Sequence, residues 1–141
     1  CEFTYIEQQQ MLGLGHAIFT GKPLIGNEPF AVILPDDLCT NSTDSVLMQM
    51  TKLYAQHPDC CIVAIEEVPI SQVDKYGVID GELLTGSNNA YRVNVMVEKP
   101  SPAEAPTNLA IIGRYILTPE IFDVLENTAP DNNGEIQITD A

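Results

Sequence analysis

Phe30-Ala31-Val32-Ile33-Leu34 is an unbroken apolar run that ends on Pro35-Asp36-Asp37. An apolar run of strand length, bounded by turn residues, predicts a strand buried on both faces, and such strands belong to parallel sheets covered by helices. In open α/β sheets ligands sit beyond the carboxyl ends of the strands. Asp36 and Asp37 are therefore expected at the mouth of a site, although for Asp37 alone a turn role is the simpler reading.

Cys61-Ile62-Val63-Ala64-Ile65 repeats the pattern. Between the two runs, Val46, Leu47, Met50, Leu53 and Tyr54 share a helical face, and Asp44 or Ser45 can cap that helix. A strand, helix, strand unit with a right-handed crossover makes its two strands parallel, so the fold class expected is α/β. Gly13 to Ile18 reads as a loop turning into a helix that ends near Gly21. Further strands are expected at Phe3–Ile6, Tyr76–Ile79, Tyr91–Val97 and Leu109–Leu117, with a polar turn from Gly81 to Asn89. Arg92 and Asn94 alternate with Val93 and Val95, which gives that strand a wetter face. Thr118-Pro119-Glu120 opens a last helix with a capping residue and proline at its first position, and Ile121, Phe122 and Leu125 form its apolar face. Ser101 to Pro106 is a rigid loop within one domain rather than a linker. Both ends are expected to be cut: the chain starts inside a strand, and Thr139 or Asp140 stands where a further helix should be capped.

A length of 141 residues with 45% hydrophobic content suits one domain with its own core. No segment approaches the length of a membrane span, and Cys1-Glu2-Phe3-Thr4 lacks the basic region and apolar stretch of a signal peptide, so a cytoplasmic protein is expected. Cys60 and Cys61 are adjacent, Cys1 and Cys39 are isolated, and no CxxC pair offers a metal knuckle, which favours buried or idle thiols. The net charge of −14, with six Lys and Arg spread singly, argues against DNA or RNA as a partner. It would also repel a phosphate ester unless a divalent cation or residues outside this chain supplied positive charge.

Short motifs then follow in order: Gln8 with Gly13-Leu14-Gly15-His16-Ala17; Leu34-Pro35-Asp36-Asp37; Tyr76-Gly77-Val78-Ile79; Val97-Glu98-Lys99-Pro100; Ile112-Gly113-Arg114-Tyr115; and Gly134-Glu135-Ile136-Gln137-Ile138-Thr139-Asp140. Each alone is weak. A glycine pair before a helix can be turn chemistry, and Glu98-Lys99 before a proline can be a solvated strand end.

Together, from about Tyr5 to Ala141, they resemble the bacterial UTP-glucose-1-phosphate uridylyltransferases, most strongly in the GLGHA, VEKP, NLAIIGRYIL and GEIQITDA stretches. The resemblance implies a nucleotide-diphospho-sugar transferase fold: a three-layer sandwich with a mixed, mainly parallel sheet, incomplete at both ends, with residues 1–141 as the middle part of a single nucleotidyltransferase domain. It implies uridylyl transfer from UTP to glucose-1-phosphate, giving UDP-glucose and pyrophosphate. By the same resemblance Gln8 and Gly13 meet the uracil, Asp36 is a metal ligand, and Gly77 and Glu98 hold the sugar. Lys99 meets the sugar phosphate, Asp140 is a second aspartate at the metal, and Asn108 faces the sugar. Asp36 and Lys99 would carry catalysis with Mg²⁺, and a homo-oligomer is expected because relatives self-associate and open sheet edges encourage it.

The chemistry agrees with those residue types. Two anions must meet, so positioning and charge neutralisation by a hard cation and a lysine outweigh any need for a protein nucleophile. His16 is read as a structural residue at a helix start. Glu7, where many relatives carry a basic residue, and Met11, at a usually polar or proline position, depart from the pattern. The glycine-rich loop with the Arg and Lys that grip the triphosphate would precede Cys1, so the chain alone is expected to be inactive. Two alternatives stand beside this reading. A thymidylyl or other sugar-nucleotidyltransferase is opposed by GLGHA, and a non-catalytic regulatory paralogue is opposed by retention of Asp36, Lys99 and Asp140.

Overall fold

In the computed structural model, residues 2–40 and 43–141 are described; Cys1 lies outside them. In chain order come helices α1 (Gly13–Thr20) and α2 (Lys22–Ile25), strand β1 (Phe30–Ile33), helix α3 (Val46–Tyr54) and strand β2 (Ile62–Glu67). A 3₁₀ helix (Ile70–Lys75), strands β3 (Gly77–Leu83), β4 (Tyr91–Glu98) and β5 (Leu109–Leu117), and helix α4 (Ile121–Asn127) follow. Serine 45 caps α3, its Oγ accepting from the Met48 N–H at 3.3 Å. Glu120, not Thr118, stands at the start of α4, and no side chain caps it.

The expected parallel pairing is corrected by the sheet. Every strand pair is antiparallel, and β5 is its hub. Tyr115 is level with Val32 of β1 and with Val63 of β2, so β5 lies between those two strands. β1 and β2 do run the same way, as a crossover through α3 requires, but the crossover fixes direction and not adjacency. A strand contributed much later in the chain inserts between them. β3 joins the same edge of β5 as β1, through Val78 and Ala110, and β4 lies outside β3.

The three layers follow from alternation along β5. Ile111, Tyr115 and Leu117 point into a core shared with Ile18 of α1, Ile79 of β3 and Ile121, Phe122 and Leu125 of α4. Ile112 and Ile116 point the other way, against Ala64 and the Val46, Leu47 and Met50 face of α3. β5 is thus the strand covered on both sides. β1 is not: Phe30 and Val32 pack inward, whereas Ala31 is exposed and Ile33 is 54% exposed. Phe30 stacks on Phe122 with ring centroids 5.3 Å apart, which fixes α4 over β1; burying an aromatic ring of this size contributes about 2–3 kcal/mol.

Other expectations also change. Residues 2–7 form no strand, with Phe3 80% and Tyr5 92% exposed. β3 continues through Gly81 to Leu83, which shortens the polar turn. Cys60 and Cys61 are exposed free thiols, so of the two readings only the idle one fits them. No helix among the described residues is long and apolar enough to cross a membrane.

Candidate active site

The first motif builds a preformed loop. The Gln8 amide Nε2 donates to the Gly13 carbonyl at 3.2 Å and lies 2.9 Å from His16 Nδ1. A carbonyl can only accept, which fixes Nε2 as the donor; Nδ1 is then the acceptor and the ring proton sits on Nε2 of His16. His16 therefore orients Gln8, and the glutamine's Oε1 is left as the acceptor available to a ligand. Gly13 has φ +87°, and a Cβ there would lie 2.9 Å from the Ile136 carbonyl oxygen, so no other residue fits without strain.

The last motif braces the first. Asp131 Oδ1 accepts the Asn133 and Glu135 N–H groups, and Oδ2 accepts from Gln137 Nε2. These bonds, led by that from Glu135, hold the Asp131 carboxyl below its ordinary value. The turn so formed presents Ile136, whose N–H donates to Leu12 at 2.8 Å and whose carbonyl accepts from Gly15 at 2.8 Å. Three residues on, Thr139 Oγ1 donates to Glu98 Oε2 at 2.9 Å. Residues 136–139 are thus a strap between the Gln8–Gly13 loop and Glu98.

Glu98 closes β4 opposite Gly77. A Cβ on Gly77 would lie 2.9 Å from the Thr139 methyl and 3.3 Å from Glu98 Oε2, so the bare glycine leaves room for both. Lys99 Nζ rests 3.4 Å from Glu98 Oε1, with 58% of its side chain exposed. Lys99 holds φ +43° and its N–H donates to the Tyr76 carbonyl at 3.0 Å. A lysine in left-handed backbone stores about 1 kcal/mol or more of strain, a cost met most often at functional sites.

Asp36 lies in the loop that leaves β1. The last ladder contact of the β1 segment is Leu34 N–H to Gly113, whereas β3 begins level with Ile111, against which Gly77 packs. Little more than Ile112 separates the two ends along β5, about 7 Å of strand. The 34–37 loop and the Gly77, Glu98, Lys99 cluster therefore flank one interruption in the sheet edge. Asp36 is exposed and, among the described residues, its carboxylate has no hydrogen-bond or ion-pair partner. Asp140 is likewise exposed, next to Thr139. Asn108 lies at the same end of the sheet, but its Nδ2 is engaged by the Val68 carbonyl at 3.0 Å.

Sequence reasoning left two residues here without a site role. Thr139 reads only as a helix cap. Arg114, named only as part of a motif, is a lone cation in an otherwise apolar strand, and that isolation is itself the signal, since a charge in a buried strand must find partners. Arg114 is 9% exposed and donates to main-chain carbonyls of the 34–37 loop. The open, mainly apolar cavity of about 650 Å³ between β2 and β4 touches this site only through Ile138, Thr139 and Tyr115. The cluster of Glu98, Lys99 and Gly77 lies outside its lining, so the chemistry is not read from cavity size.

Tyr115, beside Glu98, is buried; burial first, and the Glu98 charge second, push its phenol up from 10.0 to about 12. Below pH 10 both folded and unfolded chains keep the proton. Between pH 10 and 12 only the unfolded chain loses it, so stability falls across that window. Tyr115→Phe is expected to remove the last phenolate step from an ultraviolet titration and to flatten the alkaline loss of stability. An unchanged titration would place this phenol elsewhere.

No group of three or more His, Cys, Asp or Glu gathers as a metal cage among the described residues. Asp36 and Asp140 are exposed carboxylates with no side-chain partner among the described residues, and hard oxygen donors of this kind suit a divalent cation that completes its shell with phosphates and water.

The nucleotidyl transferase family model matches residues 1–141. A UTP-glucose-1-phosphate uridylyltransferase of Pseudomonas aeruginosa is 64% identical over the whole chain, which covers 50% of that protein. One from Staphylococcus epidermidis is 47% identical over 97% of this chain and 46% of its own length. A crystal structure of UDP-glucose pyrophosphorylase complexed with UDP-glucose superposes with a TM-score of 0.94 at 60% identity, over 99% of this chain and 52% of that one. The chain spans about half the length of the curated relatives it matches. With its sheet-and-helix fold and its motifs matched from end to end, the chain belongs to the nucleotidyl transferase family.

Proposed function

We propose that this chain is the middle part of a single, longer nucleotidyltransferase domain that transfers uridylyl from UTP to glucose-1-phosphate, giving UDP-glucose and pyrophosphate. The observation that carries this reading is the register along β5, which leaves little more than Ile112 between the strand end that leads into the Asp36 loop and the strand start where Gly77 faces Glu98, with residues 136–139 strapping Glu98 to the Gln8–Gly13 loop. Relatives matched over 97–100% of the chain carry that activity in their names.

Each residue then has a task its surroundings support. Gln8 Oε1, left as an acceptor, suits the N3–H of uracil or thymine and not the bare N3 of cytosine. Glu98, held by Thr139, accepts hydrogen bonds from sugar hydroxyls, and Gly77, bare where Thr139 and Glu98 close in, lets that pair form beside the sugar. Lys99 is tied to Glu98 only by an exposed ion pair, worth roughly 0–1 kcal/mol, so its ammonium can turn to a phosphate at little cost. The sugar phosphate oxygen attacks the α-phosphorus in line and pyrophosphate departs. A divalent cation held by Asp36, with Asp140 beside it, would neutralise charge developing on the phosphoryl oxygens. We assign Mg²⁺ as that cation, self-association to the whole protein and the cytoplasm as its compartment.

A thymidylyl preference is the second reading, since Gln8 Oε1 serves thymine equally. Pyrophosphate release by the full-length protein, with glucose-1-phosphate and each nucleoside triphosphate in turn, tests both. UTP is expected to be used at least about tenfold faster than dTTP. The reverse order, or no release, would overturn the uridylyl assignment.

A further inference from the structure

We propose that Arg114 is a positioning residue for Asp36, setting the 34–37 loop from beneath through its backbone; this rests on the reading of Asp36 as a metal ligand. Among the described residues Arg114 is the charged residue that the fold buries, at 9% exposure. Its Nη1 donates to the Leu34 carbonyl at 2.6 Å and to Gly113 at 3.2 Å, and its Nη2 donates to the Asp37 carbonyl. The two loop carbonyls flank Pro35 and Asp36, so a single rigid fork fixes both ends of the turn that presents the carboxylate.

No carboxylate among the described residues forms an ion pair with Arg114. A buried cation without a counter-ion is costly, and a mere strand-filling role would be better served by an aliphatic side chain like those of Ile112 and Ile116 beside it. What a guanidinium adds is several donors in fixed planar geometry, which lysine cannot reproduce. Pro35 offers the loop no N–H, and among the described residues the side chains of Asp36 and Asp37 make no hydrogen bond that would anchor the turn. Arg114 therefore supplies the anchorage that the loop's own residues do not. The carboxylate of Asp36 stays unengaged and outward while its main chain is held.

The test uses the full-length protein with Arg114→Lys, which keeps the charge, and Arg114→Gln, which removes it. Amide hydrogen exchange across residues 34–39 is expected to rise at least about tenfold in both, with α1 and α4 unchanged. The Mn²⁺ concentration giving half-maximal turnover is expected to rise about 10–100-fold, while KM for glucose-1-phosphate stays within about twofold. If Arg114→Gln fails to fold, Arg114→Lys carries the test. Unchanged exchange at 34–39, or an unchanged Mn²⁺ requirement in a variant whose loop has loosened, would overturn the proposal. Absence of turnover in the wild type would instead remove the reaction assigned above, and the exchange data alone would then decide whether Arg114 holds the loop.

Discussion

Asp36→Asn in the full-length protein is expected to lower kcat about a thousandfold while changing stability by less than about 0.5 kcal/mol. The two halves of this expectation have one cause. Asp36 is exposed and its carboxylate is unpaired among the described residues, so the fold gains nothing from its charge. The substitution keeps the shape of the side chain and removes the anionic oxygen that a hard cation needs. Excess divalent cation should restore part of the activity, because the defect lies in affinity as well as in charge placement. Steady-state kinetics over a Mg²⁺ series, with thermal melting as the control, checks it. Turnover within about threefold of wild type would remove Asp36 from the metal site.

Lys99→Ala carries the second large effect, a loss of about 10³-fold in kcat, the range found when a charge that stabilises a transferring phosphoryl group is deleted. Stability should hardly move, since the Lys99 and Glu98 pair is exposed on the lysine side. Lys99→Gly sharpens the point. At φ +43° a glycine relieves strain, so this variant is expected to melt at or above the wild-type temperature and still be inactive. Lys99→Arg should recover only a small part of the rate, because a forked guanidinium does not replace a compact point charge. Near-normal turnover in Lys99→Ala would move the phosphate contact to another residue.

Local patterns made much of this fold legible. Leu109–Leu117 is read from its sequence as a strand and forms one with the same limits, because its apolar run is rich in β-branched and aromatic residues and is bounded by Pro106 and Pro119. The helix through Val46, Leu47 and Met50 follows from spacing, and of its two expected caps, Asp44 and Ser45, the serine takes the role. Pairing does not. Which strand lies beside β1 depends on β5, and nothing in the β1 sequence encodes that neighbour. The half-exposed face of β1 has the same origin: Ala31 and Ile33 are as apolar as Phe30 and Val32, so a run without alternation cannot report that one face lacks cover.

The site divides in the same way. Gln8, Gly13, Asp36, Gly77, Glu98, Lys99, Asn108 and Asp140 come from motif likeness, and the structure adds how some of them are held. Gly13 and Gly77 are bare because Ile136, Thr139 and Glu98 approach them, contacts that join residues far apart in the sequence. Thr139 and Arg114 act through partners more than 40 residues away, Glu98 for one and Leu34 and Asp37 for the other, and no local window contains both members.

Uridylyl transfer built around the break between β1 and β3 must yield two products, which are followed together by mixing the full-length protein with UTP, glucose-1-phosphate and Mg²⁺ and reading pyrophosphate and UDP-glucose. Equal amounts of the two products, formed only with the cation present and lost in Asp36→Asn and Lys99→Ala, is the expected result; no pyrophosphate, or pyrophosphate formed without UDP-glucose, would contradict it.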